Sequence, residues 1–168
     1  LLGSQLAGVI DDVQPNPELS WITERYAQFW RQYADCVVVA AGGGSVIDSA
    51  KMFLPGVASG DFHEIHAALA QSQAPTVQRA LPMIAIPTTA GTGSEVTPWA
   101  TLWDRTSAKH QKYSLHLEQT WPEAALVDPA LTLSLPQVVT RDSNLDALSH
   151  ALESIWNVNA NPVSDGLA

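Results

Sequence analysis

Apolar positions in this chain recur at two spacings, and the change from one to the other marks out the elements. Trp21, Ile22, Phe29 and Trp30 fall at roughly helical intervals, which gives one buried face. Ahead of them Asn16 is placed to cap, Pro17 to take the first helical position and Glu18 to sit in the first turn, so a helix is predicted to start there. GVIDDV at 8–13 is a short strand candidate. The run CVVVAA at 36–41 is continuously apolar and followed by glycines, the pattern of a central parallel strand covered on both faces. A Gly42-Gly43-Gly44 turn then leads into SVIDSAKMFL, which has helical propensity. A polar, less regular stretch from about Pro55 to Arg79 separates it from the apolar run PMIAIPTT at 82–89, and ATLWD and AALVD are two further strand candidates. Such alternation predicts an α/β layer with a parallel sheet and a ligand site at the carboxyl ends of its strands.

After Asp128 the texture changes. PALTLSLP punctuates, and residues 138–157 read as a helix with an apolar stripe of Leu145, Leu148, Leu152, Ile155 and Trp156, expected to pack against other helices. Asn161-Pro162 then gives a second helix-start signal. There is no internal repeat and no low-complexity segment.

Composition narrows the partners. The 168 residues, 46% hydrophobic and 15% charged, suit one globular domain rather than a disordered chain. A net charge of -9 repels a phosphate backbone and an anionic membrane alike, so neither nucleic acid nor membrane is an expected partner. The single cysteine, Cys36, allows neither an internal disulfide nor a cysteine-based zinc site, which favours a reducing, cytoplasmic compartment. No apolar stretch approaches the roughly 20 residues of a membrane span.

Three groups of residues could carry chemistry. Gly43, Gly44 and Ser45, between a strand and a helix, allow close backbone approach where helix amides point outward, an anion cradle or simply a tight strand-to-helix turn. The stretch is neither a Walker loop, since no Gly precedes Lys51, nor a G-x-G-x-x-G fingerprint. Pro87 to Glu95, PTTAGTGSE, again follows a strand and gathers hydroxyls and glycines; it is a second candidate wall for a dinucleotide, or a polar turn bonded to its own backbone. Asp146 and His150 stand four residues apart on one helix, a spacing that suits two ligands of one metal and equally a solvated pair. Carboxylate with imidazole suits Fe(II), Zn or Mn but supplies only part of a coordination shell. His63 and His66 read as surface helix residues, and His110 and His116 receive no role.

These stretches, taken in order, resemble the iron-dependent (group III) alcohol dehydrogenase family: GGGSVIDSAK at 42–51, IPTTAGTGSEVT at 86–97, KYSL at 112–115, ALVDPALTLSLP at 125–136 and DALSHALES at 146–154. The resemblance implies a Rossmann-like α/β nucleotide-binding domain over residues 1–135 and, from 136 to 168, the start of an all-helical metal-binding domain. It further implies that Gly43, Gly44, Ser45, Asp48, Thr88, Thr89 and Ser94 hold NAD or NADP, with Lys112 near the nicotinamide ribose. Asp146 and His150 become the first two ligands of a catalytic divalent metal, Fe(II) or Zn. The reaction implied interconverts a small alcohol and its aldehyde, with a homodimer as a candidate assembly of the intact enzyme. Family members carry two more histidine ligands further along and an earlier strand and helix, so the chain reads as an interior piece. Asn144 stands where a glycine is usual. TLWD, KYSL and LDALSHALESIWN most resemble the phosphonoacetaldehyde reductase branch. A nucleotide-binding remnant without catalysis and a metal-free reductase of the same superfamily are the competing readings.

Overall fold

The computed structural model describes residues 3–107 and 110–168. Helix α1, Leu19–Tyr33, turns Ile22, Tyr26 and Phe29 inward at helical spacing. Strand β1, Val38–Gly42, is followed by helix α2, Gly44–Phe53, and by the two-residue strands β2, Pro55–Gly56, and β3, Arg79–Ala80, which pair antiparallel on either side of helix α3, Phe62–Ala70. The polar stretch therefore holds a helix, capped where Asp61 accepts the amide of His63 at 2.9 Å. His63 is exposed on it and His66 half-buried. Strand β4, Met83–Pro87, precedes a hairpin of β5, Trp99–Asp104, and β6, Gln111–His116. Strand β7, Ala124–Ala125, leads to the helices α4, Gln137–Trp156, and α5, Pro162–Leu167.

The α/β class with a parallel sheet holds, in the order β1-β4-β7 with both pairings parallel. Three local expectations do not. No strand forms at 8–13, which lies exposed; Asp12 instead accepts from Arg25 at 2.5 Å and from the Trp21 indole at 3.3 Å. Helix α1 begins later than expected, with Glu18 as its N-cap. Asn16 sits in the left-handed region at φ 62, and the Pro17 carbonyl accepts the Trp103 amide at 2.8 Å, so tertiary pairing overrides the local start signal. β1 is an edge strand with Val37, Val39 and Ala41 exposed; β4 is the central one. ATLWD does form a strand, in a separate antiparallel hairpin whose second strand has no strong apolar signal.

The core lies between α1, α2, α3, the sheet and the hairpin, around Ile22, Tyr26, Ile47, Met52, Ile65, Met83 and Leu115. Burying each such side chain contributes about 1.5–3 kcal/mol. Helix α4 buries none of its residues, runs unbroken through Asn144, and leaves Leu145, Leu148 and Trp156 at 55–68% exposure. No helix among the described residues is long and apolar enough to cross a membrane.

Stability should follow that division. Ile22→Ala is expected to cost about 2–5 kcal/mol in urea unfolding, whereas Leu148→Ser, on the open face of α4, should move the unfolding free energy by less than about 0.5 kcal/mol.

Candidate functional site

Parallel pairing of β1 with β4 brings both glycine-bearing loops to one end of the sheet, with Gly42 opposite Pro87. The two loops touch. A Cβ on Gly43 would lie 3.1 Å from Thr89 Cγ2, and one on Gly44 would lie 2.8 Å from Thr92 Cγ2. Absence of side chains at these two positions is therefore what lets the loops close on each other. Behind them α2 begins. The amides of Val46 and Ile47 donate to the Gly43 carbonyl at 2.9 and 3.2 Å, while those of Gly44 and Ser45 find no acceptor among the described residues. Two free amides at the positive end of a ten-residue helix attract an anion. Ser45 Oγ accepts the Asn16 amide at 3.1 Å, which ties the segment before α1 to the start of α2.

Asp48 and Ser94 sit behind this opening and bind each other. Asp48 accepts from Ser94 Oγ at 2.6 Å, from the Thr101 amide at 2.9 Å and from Thr101 Oγ1 at 3.0 Å. Lys51 completes the cluster. Its fully buried ammonium donates to Ser94 O, Ser94 Oγ, Thr97 O and Trp99 O at 2.6–3.0 Å. Burial pulls its pKa down to about 8, against the opposing pull of Asp48 and Glu95. Lys51 is the residue that sequence reasoning missed. Its signal was a lysine just ahead of the apolar stretch Met52-Phe53-Leu54 in a helical run, considered only as a Walker lysine and set aside.

Lys112 is exposed on the outward face of the hairpin, 5.5 Å from the Trp103 ring. Strand alternation places it on the same face as Thr101, and Thr101 is the residue that Asp48 grips, so this face continues from the start of α2. His116, given no role from sequence, stacks on Trp99 there at 4.2 Å.

Asp146 and His150 reach the same region through a glycine. A Cβ on Gly91 would lie 2.3 Å from the Ser143 carbonyl oxygen, so the second loop rests directly on the backbone of α4. Ser143, Asp146 and His150 follow one another at i, i+3 and i+7 along one side of that helix. Asp146 Oδ1 and His150 Nε2 stand 3.7 Å apart, both about half-exposed. Among the described residues no third His, Cys, Asp or Glu joins them. A hard oxygen beside an imidazole nitrogen, neither used in the core, fits part of an Fe(II) or Zn shell.

Residues 2–129 match the family model of iron-containing alcohol dehydrogenases. The chain belongs to this family. It is 37% identical over 170 residues to the 4-hydroxybutyrate dehydrogenase of Cupriavidus necator, covering 99% of this chain and 42% of that one. With an aldehyde-alcohol dehydrogenase of Streptococcus pneumoniae serotype 4 it shares 36% identity over 170 residues, 95% of this chain and 19% of the relative. Among solved structures it resembles the sulfoacetaldehyde reductase of Bifidobacterium kashiwanohense in complex with NAD+, at TM-score 0.77 and 34% identity, covering 92% of this chain and 40% of that one. An iron-containing alcohol dehydrogenase structure gives TM-score 0.79 at 31% identity, covering 95% and 42%. The chain thus spans 19–42% of the length of these family members.

Lys51 gives this family member a measurable pH signature. The folded chain releases its proton near pH 8 and the unfolded chain near the ordinary 10.5. Between these values the unfolded state holds more protons, so this group's contribution to stability rises with pH. Urea midpoints at about pH 7.5 and about pH 10 should show that rise, about 3 kcal/mol at most, and Lys51→Met should remove it.

Proposed function

We propose that this chain supplies the coenzyme-binding part and the first metal-ligand helix of an NAD(P)-dependent, divalent-metal-dependent oxidoreductase that interconverts a small alcohol and its aldehyde. The observation that carries this reading is the pair of unpartnered amides, Gly44 and Ser45, opening α2 at the carboxyl end of the parallel strands, faced by a loop that also seats the helix of Asp146 and His150. The two amides bind one end of the coenzyme diphosphate. Thr88 and Thr89, both half-buried beside the first loop, line the nucleotide, and Lys112 offers a cation to the nicotinamide-side ribose. Asp48 and Ser94, occupied with one another, act from behind by fixing the loop. Likeness to the NAD+ complex of a sulfoacetaldehyde reductase supports NAD as the coenzyme.

Asp146 and His150 would hold Fe(II), or Zn, together with histidines from the helical domain that begins near residue 136. Such a metal supplies Lewis-acid polarisation of the substrate oxygen. The chain's own part is to present two donors from one rigid helix, close to where the coenzyme loop meets it. For the substrate we propose phosphonoacetaldehyde, reduced to 2-hydroxyethylphosphonate. Support comes from the TLWD, KYSL and LDALSHALESIWN stretches and from likeness to an enzyme acting on another anionic two-carbon aldehyde.

Two variants test the reading. Ser45→Asp keeps an oxygen to accept the Asn16 amide and places a negative charge at a helix start, which a fold tolerates well, but it repels a diphosphate. Calorimetric titration with NADH should show affinity falling by about tenfold or more, and unchanged affinity refutes the assignment of this loop. His150→Ala in the full-length protein should lose bound iron, measured by metal analysis, and with it the reduction of phosphonoacetaldehyde and simple aldehydes, while NADH affinity stays. Stoichiometric metal in that variant excludes His150 as a ligand.

A further inference from the structure

We propose that Lys51 is a positioning residue for coenzyme binding, the anchor that fastens the second glycine loop and the hairpin to α2 so that the open amides and the threonines face one groove. The inference rests on the coenzyme reading above. Its own ground is the bonding pattern of the amine. Four oxygens converge on Nζ, one hydroxyl and three main-chain carbonyls, at Ser94, Thr97 and Trp99. All lie between the end of the second loop and the start of β5. An ammonium carries three protons, so the four acceptors are more than it can satisfy with separate linear bonds. Such crowding on one buried charge is what holds an irregular segment in a single conformation.

The anchor reaches the site through two short links. Asp48, one turn before Lys51 on α2, takes the Ser94 hydroxyl and both polar groups of Thr101. Thr120 fixes the intervening residue from the other side, its hydroxyl donating to the Pro98 carbonyl at 2.7 Å. Residues 94–101 are thus held at Ser94, Thr97, Pro98, Trp99 and Thr101, while the first part of the loop, Thr88 to Thr92, is held by contact with Gly43 and Gly44. The charged groups that act on the ammonium are Asp48 and Glu95. None of the four acceptors is a carboxylate, so the cation serves the backbone rather than an ion pair. A lysine that only filled the core would not require three carbonyls from one irregular segment.

The test uses the full-length protein and NADH as probe. Lys51→Met keeps the length of the side chain and removes every one of these bonds. It should raise the Kd for NADH by about tenfold or more, the equivalent of one charge-assisted hydrogen bond. It should also accelerate amide hydrogen exchange across residues 94–101, leaving α1 protected. Lys51→Arg, which restores a cation and its donors, should recover part of the affinity. The core variant Ile65→Ala lowers the melting temperature for reasons of packing alone and should leave Kd within about twofold of wild type. Where Lys51→Met fails to fold, Thr101→Val removes one hydroxyl from the network and should weaken NADH binding about threefold. Wild-type affinity in a folded Lys51→Met or, where that variant does not fold, in Thr101→Val overturns the proposal. A wild-type protein that does not bind NADH overturns the coenzyme reading instead, and the exchange rates of residues 94–101 show whether the anchor exists apart from it.

Discussion

The parallel register of β1 with β4, running from Val38 opposite Met83 to Gly42 opposite Pro87, is the constraint from which the site follows. Antiparallel strands would have sent the two glycine loops to opposite ends of the sheet. Parallel ones deliver both to the same end, and the crossover between them needs a covering helix. That helix is α2, whose N-terminus is carried to the same end by the first loop. The anion-attracting amides, the threonines and the hydroxyl cluster around Asp48 are therefore consequences of one strand pairing.

Much of this was legible in the residues. The glycine turn at 42–44, the helix after it, the strand at 83–87 and the helix carrying Asp146 and His150 all declare themselves through local signals: β-branched runs, glycine punctuation and helical spacing. What escaped depends on partners far along the chain. The start of α1 is delayed because Pro17 pairs with Trp103, some 86 residues away. The expected central place of CVVVAA rests on an apolar run, and such a run states how hydrophobic a strand is without stating how many neighbours it has. The hairpin was half-hidden because β6 buries only Leu115 fully and Tyr113 in part while Lys112, Ser114 and His116 face outward, so its apolar content is low. Lys51 escaped because a charged residue in a mixed helix has no sequence feature announcing that carbonyls from residues 94–99 will surround it.

Helix α4 inverts the usual sense of an amphipathic pattern. Its leucines, expected to pack against other helices, lie open among the described residues, and the side that meets the rest of the chain is the one carrying Ser143 and Asp146, both half-buried. A polar side in contact and an apolar side in water is costly in isolation. It is natural for a helix that serves two neighbours, one built from the loop after β4 and one requiring the apolar stripe.

The contact between Gly91 and Ser143 sets a distance by leaving something out. Where two elements meet through side chains, their separation can drift as rotamers change or as one residue replaces another of similar size. Here main chain meets main chain, and no side-chain torsion lies between them. The interval between the loop and the helix of Asp146 and His150 is set by direct contact of main-chain atoms. On the proposed reading, the hydride donor and the electrophile are then spaced by a gauge block with no moving part, one that any added carbon atom would lengthen.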